Sequence, residues 1–267
     1  MEKIIFAGLI LAILCSCTAR GNFLSADEKA VANQNASLSS YSNRKMCWGQ
    51  GYNCNDQNQP LSCLDYNQKY GQHGAVFLSE KESICLTFDE GYENGYTASI
   101  LDTLRQKNVK AVFFVTYDYV ARNPELVRRM IDEGHVVGNH TVNHLNLPKQ
   151  PPQTVEAEIT ELNSLCESMY GYKMKYMRPP EGEFSEKSLA VTNDLGMKTV
   201  MWSFAYKDWD VNAQKGADYA YQSVMPYLHD GAVILLHAVS SDNASALERI
   251  ITDAKKAGYT FKSLDEL

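Results

Sequence analysis

Two histidines four residues apart, His140 and His144, stand out first in this chain. On one helical turn they would share a face and bind a single metal ion. No Glu follows His140, so the pair is not a zincin motif and a third ligand has to come from elsewhere. The adjacent acids Asp89 and Glu90 are the candidates, because they close an apolar run (ICLTF) just before Gly91. Two carboxylates in one pocket separate in pKa, which lets one ligate while the other serves as a base. The bland readings are a histidine pair on a solvated turn and an acidic pair at a solvated strand end. The run RPPEG (178–182) is a stiff turn whose prolines aim Arg178 and hold the amides near Glu181 and Gly182. Its bland reading is a loop arginine paired with a carboxylate. Trp202 and Trp209 are either core residues or aromatic platforms for a sugar ring. His237, ending the run AVILLH, is either a core histidine or a proton donor.

A regular cadence would position these side chains. Short apolar, β-branched runs occur at 84–88, 111–115, 135–138, 176–177, 199–202, 232–236 and 259–261. Helical periodicity fills 99–107, 124–133, 154–169, 186–195, 219–228 and 244–256. Asn123 and Pro124 open one helix, and Gly134, Gly171, Gly196 and Gly258 follow helix ends. The alternation predicts an α/β fold with a mainly parallel sheet, a distorted and incomplete (β/α) barrel of about seven strands. An open doubly wound sheet is the alternative. In either architecture chemistry sits past the carboxyl ends of the strands. Asp89-Glu90, Asn139-His140, Arg178, Trp202 (leading to Asp208-Trp209) and His237 all fall at that rim. The convergence predicts one site there.

Composition narrows the partners. The chain has 267 residues, 45% of them hydrophobic and 21% charged, which supports a sizeable core and excludes a disordered or collagen-like chain. Its net charge of −7, with no basic run, argues against nucleic acid. Residues 1–17 read as an export signal: Lys3 precedes an apolar run (4–14) too short to span a bilayer. LCSC (14–17) resembles a lipoprotein processing box that would make Cys17 the lipidated first residue. Ordinary cleavage near Ala19 and an uncleaved anchor are the alternatives. Residues 18–45 read as a flexible tether and 46–79 as an extended lead-in, both rich in Asn, Gln, Ser and Gly. The main domain runs from 80 to 267. Cys15 and Cys17 belong to the signal. Cys47, Cys54 and Cys63 cluster in the lead-in, where export permits a disulfide but three thiols cannot all pair. Cys85 and Cys166 lie on apolar patterns and read as buried thiols.

Five runs then appear in order: TFDEG (87–91), HTVNH (140–144), RPPEG (178–182), YKDWD (206–210) and ILLH (234–237). They resemble the five motifs of the polysaccharide deacetylase (NodB-homology, carbohydrate esterase 4) family over roughly residues 80–267. TFDEGYENGYT, FSEKSL and AGYTFKSLDEL resemble one branch more closely, the δ-lactam-forming muramic acid de-N-acetylases of endospore formers. The resemblance implies a NodB-like distorted barrel that removes acetyl groups from N-acetylated sugars with one divalent metal ion (Zn, Mn or Co). By correspondence Asp89 is the base, supported by Arg178, and His237 is the general acid, with Asp208 a candidate for tuning it. Glu90 stands at the position of the metal-binding Asp, and His140 and His144 match the metal-binding histidines. Glu181, Gly182 and Trp209 fall on the substrate side.

Three departures accompany the likeness: Glu90 replaces the usual Asp, Glu181 stands where an aromatic is common, and Ala205 stands where the fourth motif often begins with Asp. The extra methylene of Glu90 implies either weaker metal binding or hydrogen bonding instead of ligation. The implied partner is a peptidoglycan glycan strand outside the cytoplasmic membrane, or in the forespore cortex, with membrane attachment only through lipid at Cys17. A monomer is expected. Two alternatives remain beside the muramic acid reading, a glucosamine- or chitin-type deacetylase and a non-catalytic wall-glycan binder.

Overall fold

A computed structural model describes residues 37–266. The expected export signal with Cys15, Cys17 and Ala19, and the tether up to residue 36, lie outside the described residues. The body is a curled seven-stranded parallel sheet. Its strands are β2 (Ala75–Val76), β3 (Cys85–Glu90), β4 (Val112–Val115), β5 (Val136–Asn139), β6 (Tyr176–Met177), β8 (Lys198–Val200) and β9 (Val233–His237). Their order is β2-β8-β6-β5-β4-β3-β9. A small antiparallel pair, β1 (Met46–Cys47) with β7 (Glu183–Phe184), stands apart from it. β3, β4 and β5 are buried along their whole length. That is why their sequences read as unbroken apolar runs rather than alternating ones.

Helices cover the outside of the curl: α2 (Thr97–Gln106), α3 (Tyr117–Arg122), α4 (Pro124–Asp132), α5 (Pro152–Tyr170), α6 (Glu186–Asp194), α7 (Ala217–Val224) and α8 (Ser241–Lys256). Their starts are chemically marked. Thr116 and Ser240 each accept a hydrogen bond from the first turn, and Ser185 forms a reciprocal capping box with Ser188. The four glycines expected past helix ends all carry positive φ. One apolar cluster joins the helices to the sheet through Leu86, Phe88, Phe113, Ile159, Leu247 and Ile250.

Three features differ from expectation. Residues 259–261 do not form a strand; only Phe261 bridges to Ile84. The seventh strand is β2, which pairs with β8. The lead-in is not extended throughout, since it contains α1 (Leu61–Tyr70) as well as β1 and β2. Its aromatic residues Trp48, Tyr66, Tyr70 and Phe77 build a second core with Phe184. Finally, the chain leaving β8 bends across to β9, where Phe204 bridges to Ile234, so the curled sheet is spanned on that side. Among the described residues no helix is long and apolar enough to cross a membrane. The five described cysteines are free, with Cys63, Cys85 and Cys166 buried.

Candidate active site

Register brings the two ends of the expected proton path together. β3 and β9 are neighbours, and Asp89 is the Cα partner of His237. In-register residues of parallel strands project to the same face, so the carboxylate and the imidazole share the mouth of the curl. Each has its own counter-charge. Arg178, following β6 and wholly buried, donates from Nη1 to Asp89 Oδ1 at 2.8 Å. Its remaining donors reach Thr87 Oγ1 and the carbonyls of Val200 and Met201, and its plane lies 4.3 Å from the Phe114 ring centroid. Held by four acceptors and a ring, the guanidinium has one orientation. Behind His237, Asp208 Oδ1 accepts from Nδ1 at 2.7 Å, while Oδ2 accepts from the His237 backbone N–H and from Asn243 Nδ2.

These pairings set protonation. Burial alone would push the Asp89 carboxyl up, but Arg178, His140 and His237 outweigh it and hold it below the ordinary carboxylate range. Burial would push His237 down, but the hydrogen bond and charge of Asp208 outweigh it and raise the imidazole above its ordinary value. Asp89 is therefore ionised while His237 readily carries a proton. His140 is different: burial lowers it to about 4 despite Asp89, so it is a neutral ring. Its Nδ1 donates to the Arg178 carbonyl at 2.9 Å, leaving the Nε2 lone pair 3.7 Å from Asp89 Oδ2.

His140 and His144 do meet, with ring centroids 5.0 Å apart, but not on a helical turn. Thr141 and His144 both have left-handed φ, and the loop is latched by Thr141 N–H to Asn139 Oδ1 and by Asn143 to Glu158. Glu90 is the main correction. It does not join the histidines and does not line the cavity. It is wholly buried, contacts Thr97 Oγ1 at 3.4 Å through Oε1, and leaves Oε2 without a partner. Successive strand residues point to opposite faces, and Glu90 keeps the face away from Asp89. Burial, then the charge of Glu93, raises its carboxyl well above the ordinary range.

A cavity of about 540 Å³ opens over this group, lined by Asp89, His140, His144, Trp209 and His237, and on another side by Glu181, Gly182, Trp202 and Ala205. Trp209 is half exposed at its rim, beside Tyr92. In the RPPEG turn the Gly182 N–H is taken up by the Pro179 carbonyl. Of the residues singled out from sequence, all but Glu90 converge, with Arg178 and Asp208 just behind the surface. Thr87, Asn243, Trp48 and Gln50, which hold the others, were not foreseen. Each is an ordinary polar or aromatic residue outside any spaced pattern of titratable groups.

Known proteins share this architecture. A family model described as polysaccharide deacetylase matches residues 78–200. The peptidoglycan-N-acetylmuramic acid deacetylase PdaA of Bacillus subtilis is 43% identical over 84% of this chain and 86% of its own. The chain belongs to the polysaccharide deacetylase family. The solved PdaA structure, a family 4 carbohydrate esterase, superposes with a TM-score of 0.80 over 85% of this chain and 97% of that one. A family 4 carbohydrate esterase from Bacillus anthracis is 38% identical with a TM-score of 0.71, over 85% of this chain and 98% of its own. The peptidoglycan-N-acetylglucosamine deacetylase PgdA of Listeria monocytogenes is 36% identical over 69% of this chain and 38% of its own length. The chain is thus a carbohydrate deacetylase with the family's curled parallel sheet.

Family members are metal-dependent, and the expected donor trio does not fit that role here. Glu90 faces away, one Asp89 oxygen is held by Arg178, and two imidazoles remain, His140 and His144. Among the described residues no three His, Cys, Asp or Glu side chains are grouped to hold an ion.

Proposed function

We propose that this chain removes the N-acetyl group of N-acetylmuramic acid residues in peptidoglycan strands already stripped of their stem peptides. The observation that carries the reading is the in-register pair Asp89 and His237, each backed by a separate counter-charge in one cavity. The muramic acid choice is supported by the relative bearing that name, which matches over most of both chains, while the glucosamine deacetylase PgdA matches less of this chain and at lower identity.

The residues divide the work. Asp89, ionised, takes the proton of the attacking water. A backbone N–H of the RPPEG turn, at Glu181 on the cavity wall, would stabilise the charge that develops on the acetyl oxygen. His237, protonated and held through Nδ1 by Asp208, delivers its Nε2 proton to the departing amine. That step is needed because an amide anion is a very poor leaving group. Arg178 keeps Asp89 ionised and aimed. Trp209 offers its exposed face to a sugar ring. The Zn, Mn or Co ion implied by the family would find the two imidazoles of His140 and His144, and no step above is assigned to it.

The amine so freed lies beside the lactyl carboxylate of the same sugar, and ring closure to the δ-lactam gains the effective molarity of an intramolecular reaction. The chain acts as an exported protein on the outer face of the cytoplasmic membrane, tethered by lipid at Cys17 and serving the spore cortex. The supports for this are the apolar run at 4–14, the LCSC box and the branch-specific stretches.

Acetate release from peptide-stripped glycan tests the reading. Asp89→Asn and His237→Ala should each lower kcat by roughly 10²–10⁴-fold, and Asp89→Asn, which leaves the buried Arg178 without its counter-charge, should also lower the melting temperature. A His237→Ala enzyme that retains wild-type kcat would remove the acid from the scheme.

A further inference from the structure

The cavity wall built by Gly182, Trp202 and Ala205 is held from behind by the lead-in. Trp48 N–H donates to the Gly182 carbonyl at 3.0 Å, continuing the β1–β7 pairing, and Trp48 Nε1 donates to the Trp202 carbonyl at 2.9 Å. Gln50 then uses both ends of its amide. Its Oε1 accepts from Trp202 Nε1 at 3.1 Å, and its Nε2 donates to the Ala205 carbonyl at 3.1 Å. Every hydrogen bond named here joins a residue of 46–50 to one that lines the cavity. The segment is itself anchored, since the Trp48 ring packs 4.5 Å from Phe77 and 4.9 Å from Tyr66, and Ser62 of α1 donates to the Gln50 carbonyl. The Trp202 indole lies against the RPPEG turn, whose backbone is held separately by the Gly182–Pro179 and Trp48–Gly182 hydrogen bonds. A Cβ at Gly182 would lie 2.5 Å from Trp202 Cη2, so the ring abuts the turn with no slack.

From this we infer that Gln50 is a positioning residue for glycan binding. Its amide sets the plane of Trp202 and the place of the Ala205 carbonyl, and through them the wall against which the sugar lies. A planar amide that donates and accepts at once is what the two partners require. Gln50 has no contact with Asp89 or His237, so it acts on substrate affinity and leaves the proton-transfer step alone. The inference rests on the deacetylase reading above but not on which sugar is the substrate.

The test is steady-state kinetics of full-length Gln50→Ala and Gln50→Glu on two glycans, peptide-stripped peptidoglycan strands and an N-acetylglucosamine hexamer. On whichever the wild type deacetylates, Gln50→Ala should raise KM about tenfold, the size of one lost buried hydrogen-bond pair, with kcat within about twofold. The pH profile of kcat should not move. Gln50→Glu keeps the acceptor for Trp202 and loses the donor for Ala205, so its KM should fall between the two. Near-ultraviolet circular dichroism of the unliganded proteins reads the Trp202 environment independently of turnover, and its indole bands should change in Gln50→Ala and partly recover in Gln50→Glu. A fall in kcat at constant KM, or kinetics and spectra identical to wild type, would overturn the inference. Turnover of the hexamer alone would overturn the muramic acid reading and leave the Gln50 comparison intact. With neither glycan turned over, the spectra alone decide for Gln50.

Discussion

A carboxyl group buried without a counter-charge stays protonated, and Glu90 is in that position, while its chain neighbour Asp89 is ionised against Arg178. Glu90→Gln replaces one neutral group with another of nearly the same shape. It should leave acetate release within about twofold of wild type and zinc affinity of the purified protein unchanged. A tenfold loss of zinc affinity, measured by titration calorimetry, would return Glu90 to the metal. The pH profile follows from the same environments. The base must be ionised, so activity is lost as pH falls through the Asp89 value, which lies below its ordinary 3.8. The acid must be protonated, so activity is lost as pH rises through the His237 value, which lies above its ordinary 6.5. Asp208→Asn removes the group that raises His237 and should move the basic limb to lower pH. A basic limb that stays in place would show that His237 is not the titrating acid. Asp89, His140, His144, Arg178 and His237 were legible because motif spacing follows the strand ends. The direction of Glu90 was not, because two adjacent acids look alike in sequence and only the pleat and its partner Thr97 separate them.

The elements act as brackets for these residues. The RPPEG turn has Glu181 and Gly182 both at positive φ, and Trp202 leaves no room for a side chain at Gly182. Gly182→Ala should therefore cost about 1–3 kcal/mol of stability and shift the Glu181 amide, lowering kcat as well. Denaturant unfolding together with acetate release checks both, and an alanine variant as stable and active as wild type would mean the turn is not under this constraint. The same physics shows what sequence could reveal at this scale. Long amphipathic stretches such as α5 and α8 announced themselves by period. β2 has two residues and gains its place only by pairing with β8, so no local pattern marks it. The run at 259–261 has strand-like residues but only one bridge partner, Ile84. α1 carries a mixed polar sequence, and its order comes from the aromatic cluster with Phe77 and Phe184 rather than from helix propensity.

At the scale of the whole molecule, several histidines are buried as neutral rings. Burial lowers His135 and His140 to about 4 and pushes His229 down as well. A group whose folded pKa is depressed stabilises the fold above its unfolded value and loses that contribution as pH falls toward the folded one. In the Glu90→Gln protein, which lacks the opposing contribution of the raised Glu90 carboxyl, the metal-free fold should accordingly lose stability between about pH 6.5 and 4, each pKa unit being worth about 1.4 kcal/mol per histidine. Melting temperatures across that range check this, and a flat profile would contradict it. The curled sheet, the lead-in and the bridged edge at Phe204 together present to a glycan the cavity that holds base and acid on adjacent strands. Mass spectrometry of peptide-stripped peptidoglycan, digested before and after incubation with the protein, tests that assembly most directly. Muramic acid residues should lose one acetyl group, a loss abolished by Asp89→Asn and by His237→Ala. Muramic acid that stays fully acetylated, or acetyl loss that persists in both variants, would contradict it.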